Sequence, residues 1–477
     1  MAADAQARKP GFVDWIDERL PVRTLWTEHV AGYAAPKNFN VWYFFGSLLL
    51  LVLAMQLATG LFIAIHYQPN PALAYWSVVR GIERDSSWGW LIRDIHVVGA
   101  SAFFLLVYLH LFRGILYGSY KRPRELLWLV GVAIYLALAA ESFLGYLLPW
   151  GQMSYWGSTA VMNFATAVPV VGEAIATWLR GSFVVGAPTL NRFFVFHVFL
   201  VPLVLLALVL LHVIALHQVG SNNPDGIEIR ARTDARGWPV DGIPFHPYYT
   251  AKDALGASAF LVAFFAVVFF APDGWGLLVD KLNYQPANPI QTPPDIHPLW
   301  YFLPYYAMLR GVPEKLYGVL AFACVFVLLA ALPWLDRNPI KSIRYRSLLY
   351  KLNLLAMPVA FLLLGYIAHG TATESNMVWG LHVTEVFYAT FLLLPYFNRP
   401  RSRLAALVWL LAMEAVVWLI DLWMYASDAH GWGLMLRTDW IPAAYVALVL
   451  VPALLWPALT RDAPRLPERL TAGGLAH

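Results

Sequence analysis

Four histidines carry the chemistry that the rest of the sequence must serve. His96 and His110 lie 14 residues apart in one apolar run, and His197 and His212 lie 15 apart in another. On an α-helix, 14 steps of 100° stop about 40° short of whole turns and 15 run about 60° past them. Each pair therefore presents its imidazoles to roughly one side of its helix. The rise between partners is about 21–22 Å, most of the hydrocarbon thickness of a bilayer. Two facing neutral imidazoles are what a six-coordinate b-type haem needs when it is held without covalent attachment between helices of a bundle. Two such haems, ligated by His96 with His197 and by His110 with His212, would carry electrons from one membrane face to the other. Hydrogen-bonded or proton-relaying intramembrane histidines are the plainer alternative. Two matched pairs at matched depths favour the metal.

The glycines agree with this. Gly46 and Gly60 are 14 apart in a third run, and Gly131 and Gly145 are 14 apart in a fourth. A flat macrocycle needs neighbours without side chains at its own depth, and glycine alone has no Cβ. Arg93 stands three residues before His96, and Arg113 three after His110. Each is displaced towards the nearer water, where it suits a haem propionate carboxylate.

The elements that must hold these residues are membrane spans. The 477 residues are 60% hydrophobic and 13% charged, against about 25% charged in soluble domains. Ten apolar runs of spanning length occur near 41–67, 95–117, 126–149, 193–216, 254–272, 316–335, 348–368, 377–396, 404–425 and 440–459. No period-2 alternation suggests a barrel, so the expected fold is an all-α integral membrane bundle of about ten helices around a di-haem four-helix core. With the N-terminus inside, the inner segments hold 22 Lys and Arg and the outer segments 9, an asymmetry that supports two cytoplasmic termini. Both histidine helices then run from outside to inside. His96 meets His197 at the outer depth, and His110 meets His212 at the inner depth. The N-terminus shows no signal-peptide pattern, and residues 14–20 read as a short surface helix. The two outer loops of about 40 residues, after the third and fifth runs, are rich in Trp, Gly and Pro and are expected to be ordered and functional.

One cysteine, Cys324, excludes an intramolecular disulfide, a cysteine-ligated iron–sulfur cluster and a CxxCH haem attachment within the chain. It lies in an apolar run and reads as a packed core residue.

The chain resembles the cytochrome b family, the core subunits of quinol–cytochrome c oxidoreductase (cytochrome bc) complexes of the bacterial type. Besides the histidine pairs, the resemblance rests on LLPWGQMSYWG at 147–157, LHQVGSNNP at 216–224, FHPYYTAKD at 245–253 and PLWYFLPYYAMLRGVP at 298–313. It covers about residues 36–396. It implies two b haems, a quinol-oxidation site on the outer side and a quinone-reduction site on the inner side. The implied oxidation pocket involves Phe143, Tyr146, Gly157, Pro298, Trp300 and Tyr301. The implied reduction pocket involves His217, Ser221 and Asp253, with Lys252 at the same depth. Quinone reduction consumes protons, so a histidine and a carboxylate in reach of cytoplasmic water suit that end. The implied mechanism is bifurcated oxidation. One electron passes to a Rieske iron–sulfur protein beside a cytochrome c1-like subunit, and the other crosses through the haems to the inner quinone, coupled to proton translocation. The complex is expected in the bacterial inner membrane as a homodimer in contact with lipid, with no nucleic-acid partner.

Two departures stand out. The family commonly carries Pro-Glu-Trp-Tyr in the outer loop, with the Glu thought to accept a quinol proton. Here Pro298 is followed by Leu299. Glu141, four residues before Gly145 and nearly on its face, is expensive to bury in an apolar helix and is expected to replace it as proton acceptor, with Asp295 and His297 as rivals. The second departure is the 15-residue His197–His212 interval, where 14 is usual in respiratory members. Pro202 lies between, and a π-bulge is expected to absorb the extra residue and rotate one ligand plane.

The expected organisation is a cytoplasmic segment with a surface helix (1–40), a di-haem bundle (41–218), a cytoplasmic loop (219–252), the C-terminal cytochrome b helices (253–396), and two further helices with a tail (397–477). Two rivals remain open: a di-haem membrane anchor of another quinone-linked dehydrogenase, and a proton-coupled transporter.

Overall fold

A computed structural model describes residues 11–312, 314–427, 440–463 and 465–471. The start of the N-terminal segment, most of the expected outer loop 426–439 and the end of the tail lie outside the described residues. Among the described residues, nine helices are long and apolar enough to cross a membrane. In chain order the spans are α1 Phe45–His66, α2 Gly89–Leu116, α3 Glu125–Leu147, α4 Ala187–Val219, α5 Tyr248–Phe270, α6 Lys315–Leu335, α7 Leu348–His369, α8 Glu374–Leu392 and α9 Arg403–Ser427. The tenth expected run is the shorter α10, Trp440–Leu455. In hydrocarbon, backbone N–H and C=O groups have no water to satisfy them, and a continuous helix pairs them internally. Side chains such as Leu61, Ile65, Leu210, Val262 and Phe270 then stay exposed on the outer surface of the bundle, as a lipid solvent permits.

Helix α1 packs on α2, and α3 on α4; α5 lies against α1 and α2. Helices α7 and α8 enclose the short helix Leu303–Gly311, while α10 packs on both α8 and α9. One buried cluster runs through both halves, from Leu48 and Tyr135 to Tyr301, Phe391, Met413 and Leu450.

The extra residue of α4 is taken up by a π-helical turn, Phe196–Leu200, which contains His197. Pro202 has no N–H to donate to the carbonyl four residues back, so the turn before it widens. Near the N-terminus the surface helix is Phe12–Asp17, not 14–20, and a second short helix starts at Val22. Pro21 separates them because the residue before a proline avoids the helical region. Cys324 is exposed on α6, which corrects its reading as core. An apolar environment in a membrane helix includes the lipid face.

At the end of the bundle that the charge asymmetry assigns to the outside, the outer end, the helix Gln152–Phe164 docks against the loop before Trp300. Gln152 Nε2 donates to the Gln291 carbonyl (2.6 Å), Ser154 N to Asn283 Oδ1 (2.7 Å) and Trp156 Nε1 to the Asn288 carbonyl (3.2 Å). Both long loops are thus ordered by each other. On the inner side, Asp336 is fully buried at the end of α6. It takes Lys121 Nζ at 2.9 Å, Arg346 Nη1 at 3.1 Å, and hydroxyl bonds from Tyr120 (2.6 Å) and Tyr350 (3.0 Å). This group ties the α2–α3 connection to the α6–α7 connection.

Removing one member of a buried ion cluster leaves the others uncompensated, at a cost of about 3–5 kcal/mol. Asp336→Ala is therefore expected to lower the melting temperature of the solubilised protein sharply. Arg401→Ala, at a half-buried position bonded only to backbone carbonyls, is expected to lower it much less.

Candidate haem and quinone sites

The helix pairs bring the histidines together at two depths. The ring centroids of His96 and His197 are 6.2 Å apart with planes at 90°, and those of His110 and His212 are 6.5 Å apart at 60°. Two imidazole–metal bonds of about 2 Å, plus about 1 Å from ring nitrogen to ring centre on each side, give about 6 Å. Both pairs fit one iron between them. The more perpendicular pair is the one that includes the π-turn.

The four glycines each face one of these four rings. A Cβ on Gly60 would lie 3.1 Å from His96 Cε1, on Gly131 3.3 Å from His212 Cε1, and on Gly46 3.5 Å from His110 Cε1; on Gly145 it would overlap the His197 ring. The sequence reading assigned the glycines to the macrocycle. The structure adds that they seat the imidazoles themselves.

Arg113 is half-buried at the inner level. Its Nη1 bonds to Ser119 Oγ (3.3 Å), its Nη2 approaches His110 Nδ1 (3.3 Å), and its guanidinium lies 4.9 Å over the Tyr43 ring. Its Nε has no hydrogen-bond partner among the described residues, an open donor of the kind a propionate would fill. Arg93 instead pairs with protein carboxylates, Glu83 at 3.1 Å and Asp94 at 3.3 Å, while still lining the outer cavity.

That cavity has a volume of about 470 Å³ and runs from His96 and His197 past Glu141 and Ser142 to Tyr146, Leu299 and Tyr301. Tyr301 is fixed from three sides: its hydroxyl meets Ser142 Oγ at 2.5 Å, its carbonyl accepts from Tyr108, and its ring stacks on Phe104 at 3.9 Å. Trp300 Nε1 donates to Ser101 Oγ (3.1 Å). Gly157 stands beside the Tyr146 ring. Phe143 turns away and packs edge-on to Phe193. Glu141 Oε1 lies 3.0 Å from His197 Nδ1, which also bonds to the Glu141 carbonyl at 3.0 Å.

A smaller pocket adjoins at Tyr146 and Leu299 and is also lined by Asp280, His297, Pro298 and His369. His297 Nε2 pairs with Asp280 Oδ2 at 3.1 Å, His297 Nδ1 faces the Pro298 carbonyl, and the His369 ring stacks on His297 at 6.1 Å. The bond to Asp280 raises the His297 imidazole above its ordinary value, and the same bond holds Asp280 low.

At the inner end, Ser221 Oγ is 2.8 Å from the Tyr33 hydroxyl, and the Tyr33 ring lies 4.8 Å from the His217 ring. Asp253 is partly buried in the second turn of α5. Lys252 turns onto Tyr248, 2.7 Å from its hydroxyl. Tyr33 escaped the sequence reading, and nothing in its spacing announces it. It arrives because strand β1, Ala34–Pro36, pairs antiparallel with β2, Gly242–Pro244. Asp280 and His369 were also missed. For His369 a signal existed, a histidine at the outer end of a run.

The glycine geometry ranks substitutions. Gly145→Ala is expected to remove the outer haem, seen as loss of part of the b-type α-band in a reduced-minus-oxidised spectrum. Gly46→Ala, whose Cβ meets only ordinary contact, is expected to retain both.

The chain is similar to known proteins along most of its length. The family model described as Cytochrome b/b6/petB matches residues 30–220, and that described as Cytochrome b(C-terminal)/b6/petD matches residues 286–389. The cytochrome b of Allochromatium vinosum is 50% identical over 400 residues, 82% of this chain and 96% of that protein. The cytochrome b/c1 of Bradyrhizobium diazoefficiens is 43% identical over 83% of this chain and 56% of its own length. A chain of the solved structure "Hyperthermophilic respiratory Complex III" superposes with a TM-score of 0.75 at 38% identity, covering 81% of this chain and 98% of that one. With its paired histidines inside the matched span, this chain belongs to the cytochrome b family and is a haem-binding, multi-pass membrane protein of respiratory electron transport.

Proposed function

We propose that the chain is the cytochrome b subunit of a quinol–cytochrome c oxidoreductase that oxidises quinol at the outer pocket by bifurcation and reduces quinone at the inner one. The observation that carries this is the continuity of the outer cavity, which leads from one histidine pair to Tyr146 and Tyr301. A membrane anchor of another dehydrogenase has no use for that pocket. Two b haems, when bound by His96 with His197 and by His110 with His212, supply one-electron carriers at two depths. The iron–sulfur and c-type centres then belong to a Rieske protein and a cytochrome c1-like subunit, since Cys324 is the only cysteine. The b/c1 name of the Bradyrhizobium relative and the Complex III neighbour support that assembly. The charge asymmetry supports an inner-membrane topology with both termini cytoplasmic, and a dimer in contact with lipid is part of the same reading.

The chain's own residues divide the work. Arg113 offers its open Nε to a propionate. Tyr301, held by Ser142 and Phe104, forms a rigid wall for quinol, with Pro298, Trp300 and Gly157 behind it. Leu299 cannot take a proton, but His297 beside it can. Neutral His297 accepts the proton, and the resulting imidazolium is held by the Asp280 carboxylate on one nitrogen and the Pro298 carbonyl on the other. Glu141, the acceptor expected from sequence, is the second candidate; it lines the larger cavity next door, and its Oε2 has no hydrogen-bond partner among the described residues. At the inner end His217 and Ser221, linked through Tyr33, together with Asp253, face the quinone and deliver protons.

Bifurcation is tested in the assembled complex with the inner site inhibited. Adding oxidant is expected to increase b-haem reduction, because each quinol must give up both electrons together; a simple anchor would show the opposite. The proton acceptor is tested by pH profile. A base works only above its pKa, and Asp280 raises that of His297. Asp280→Asn is therefore expected to shift the acidic limb of quinol oxidation to lower pH. His297→Gln is expected to abolish the limb and slow the reaction at least about 10²-fold. If His297→Gln keeps the limb and Glu141→Gln loses it, Glu141 is the acceptor.

A further inference from the structure

The two histidine pairs have unlike surroundings. At the outer level, His96 Nδ1 faces the neutral Thr59 hydroxyl at 2.9 Å, while His197 Nδ1 faces the Glu141 carboxylate at 3.0 Å. Arg93, the nearby cation, is already matched by Glu83 and Asp94. At the inner level no carboxylate approaches either ring among the described residues. The charged neighbour there is Arg113, 3.3 Å from His110 Nδ1.

Helix geometry explains the contact. Gly145 seats the His197 ring, and Glu141 is one turn earlier on the same helix, so its side chain lands on the ring's rear edge. The backbone carbonyl of Glu141 reaches the same nitrogen. The tautomer and plane of His197 are thus held by the main chain, and the side chain adds charge to an arrangement already fixed. A carboxylate behind a metal-bound imidazole strengthens its electron donation. Stronger donation favours the oxidised iron.

We propose that Glu141 is a positioning residue that acts through His197 to lower the reduction potential of the outer haem, so that an electron arriving there falls towards the inner haem beside Arg113. This rests on the di-haem reading above and deepens it.

The experiment is a redox titration of the assembled Glu141→Gln complex. Glutamine keeps the size and the backbone contact and removes the charge. The expected result is a rise of the outer haem potential that changes electron sharing between the haems at least tenfold, 59 mV for one electron, with the inner haem unmoved. Glu141→Asp is expected to recover part of the difference. Unchanged potentials with both α-bands present, or equal shifts of both haems, would overturn the proposal. Should the glutamine variant lose the outer haem, the unsubstituted complex decides. The near-infrared charge-transfer band of the oxidised outer haem must lie at higher energy than that of the inner one, and coincident bands would refute the proposal. Absence of b-haem bands from the parent complex would instead defeat the di-haem reading itself.

Discussion

Everything in this molecule follows from the need to hold two imidazoles face to face at two depths of one bilayer. A helix of 3.6 residues per turn returns to the same side after about 14 residues, and those residues rise about 21 Å. That distance leaves one facing histidine pair towards each end of the spans. The opposing helix must be small where the rings lie, and Gly46, Gly60, Gly131 and Gly145 meet this demand at the four positions where a side chain would press on an imidazole. The pairing of α1 with α2 and α3 with α4 is the packing that puts each glycine on its ring.

Around this axis the two ends are built differently. The outer end is closed by loops that hold one another, with Gln152, Ser154 and Trp156 engaging the segment 283–291. The inner end is gathered by charge and by a short strand pair, with Asp336 buried among Lys121, Arg346 and two tyrosines.

Much of this was readable in the residues, for physical reasons. Hydropathy reveals spans because lipid allows so few backbone solutions. Histidine and glycine spacing reveals depth because helix rise is constant. The π-turn was readable because Pro202 and one surplus residue leave few alternatives. What escaped depended on chain segments meeting across long separations. Tyr33 reaches Ser221 only through a strand pair between residues 34–36 and 242–244, and Asp280 meets His297 only because a loop folds back on itself. Cys324 was misplaced because apolar sequence alone does not separate a helix's protein face from its lipid face. Glu141 was singled out correctly as an anomaly, but its nearest partner lies on another helix and was invisible in one dimension.

The order of residues along the chain also sets an order of completion during synthesis. All four paired histidines have been made by His212, and the residues expected at the inner end are complete once Asp253 has emerged. The outer pocket must wait for His297, Tyr301 and finally His369, at the far end of α7. The nascent protein therefore holds both histidine pairs well before the lining of the outer pocket is complete, and that pocket is the last to close.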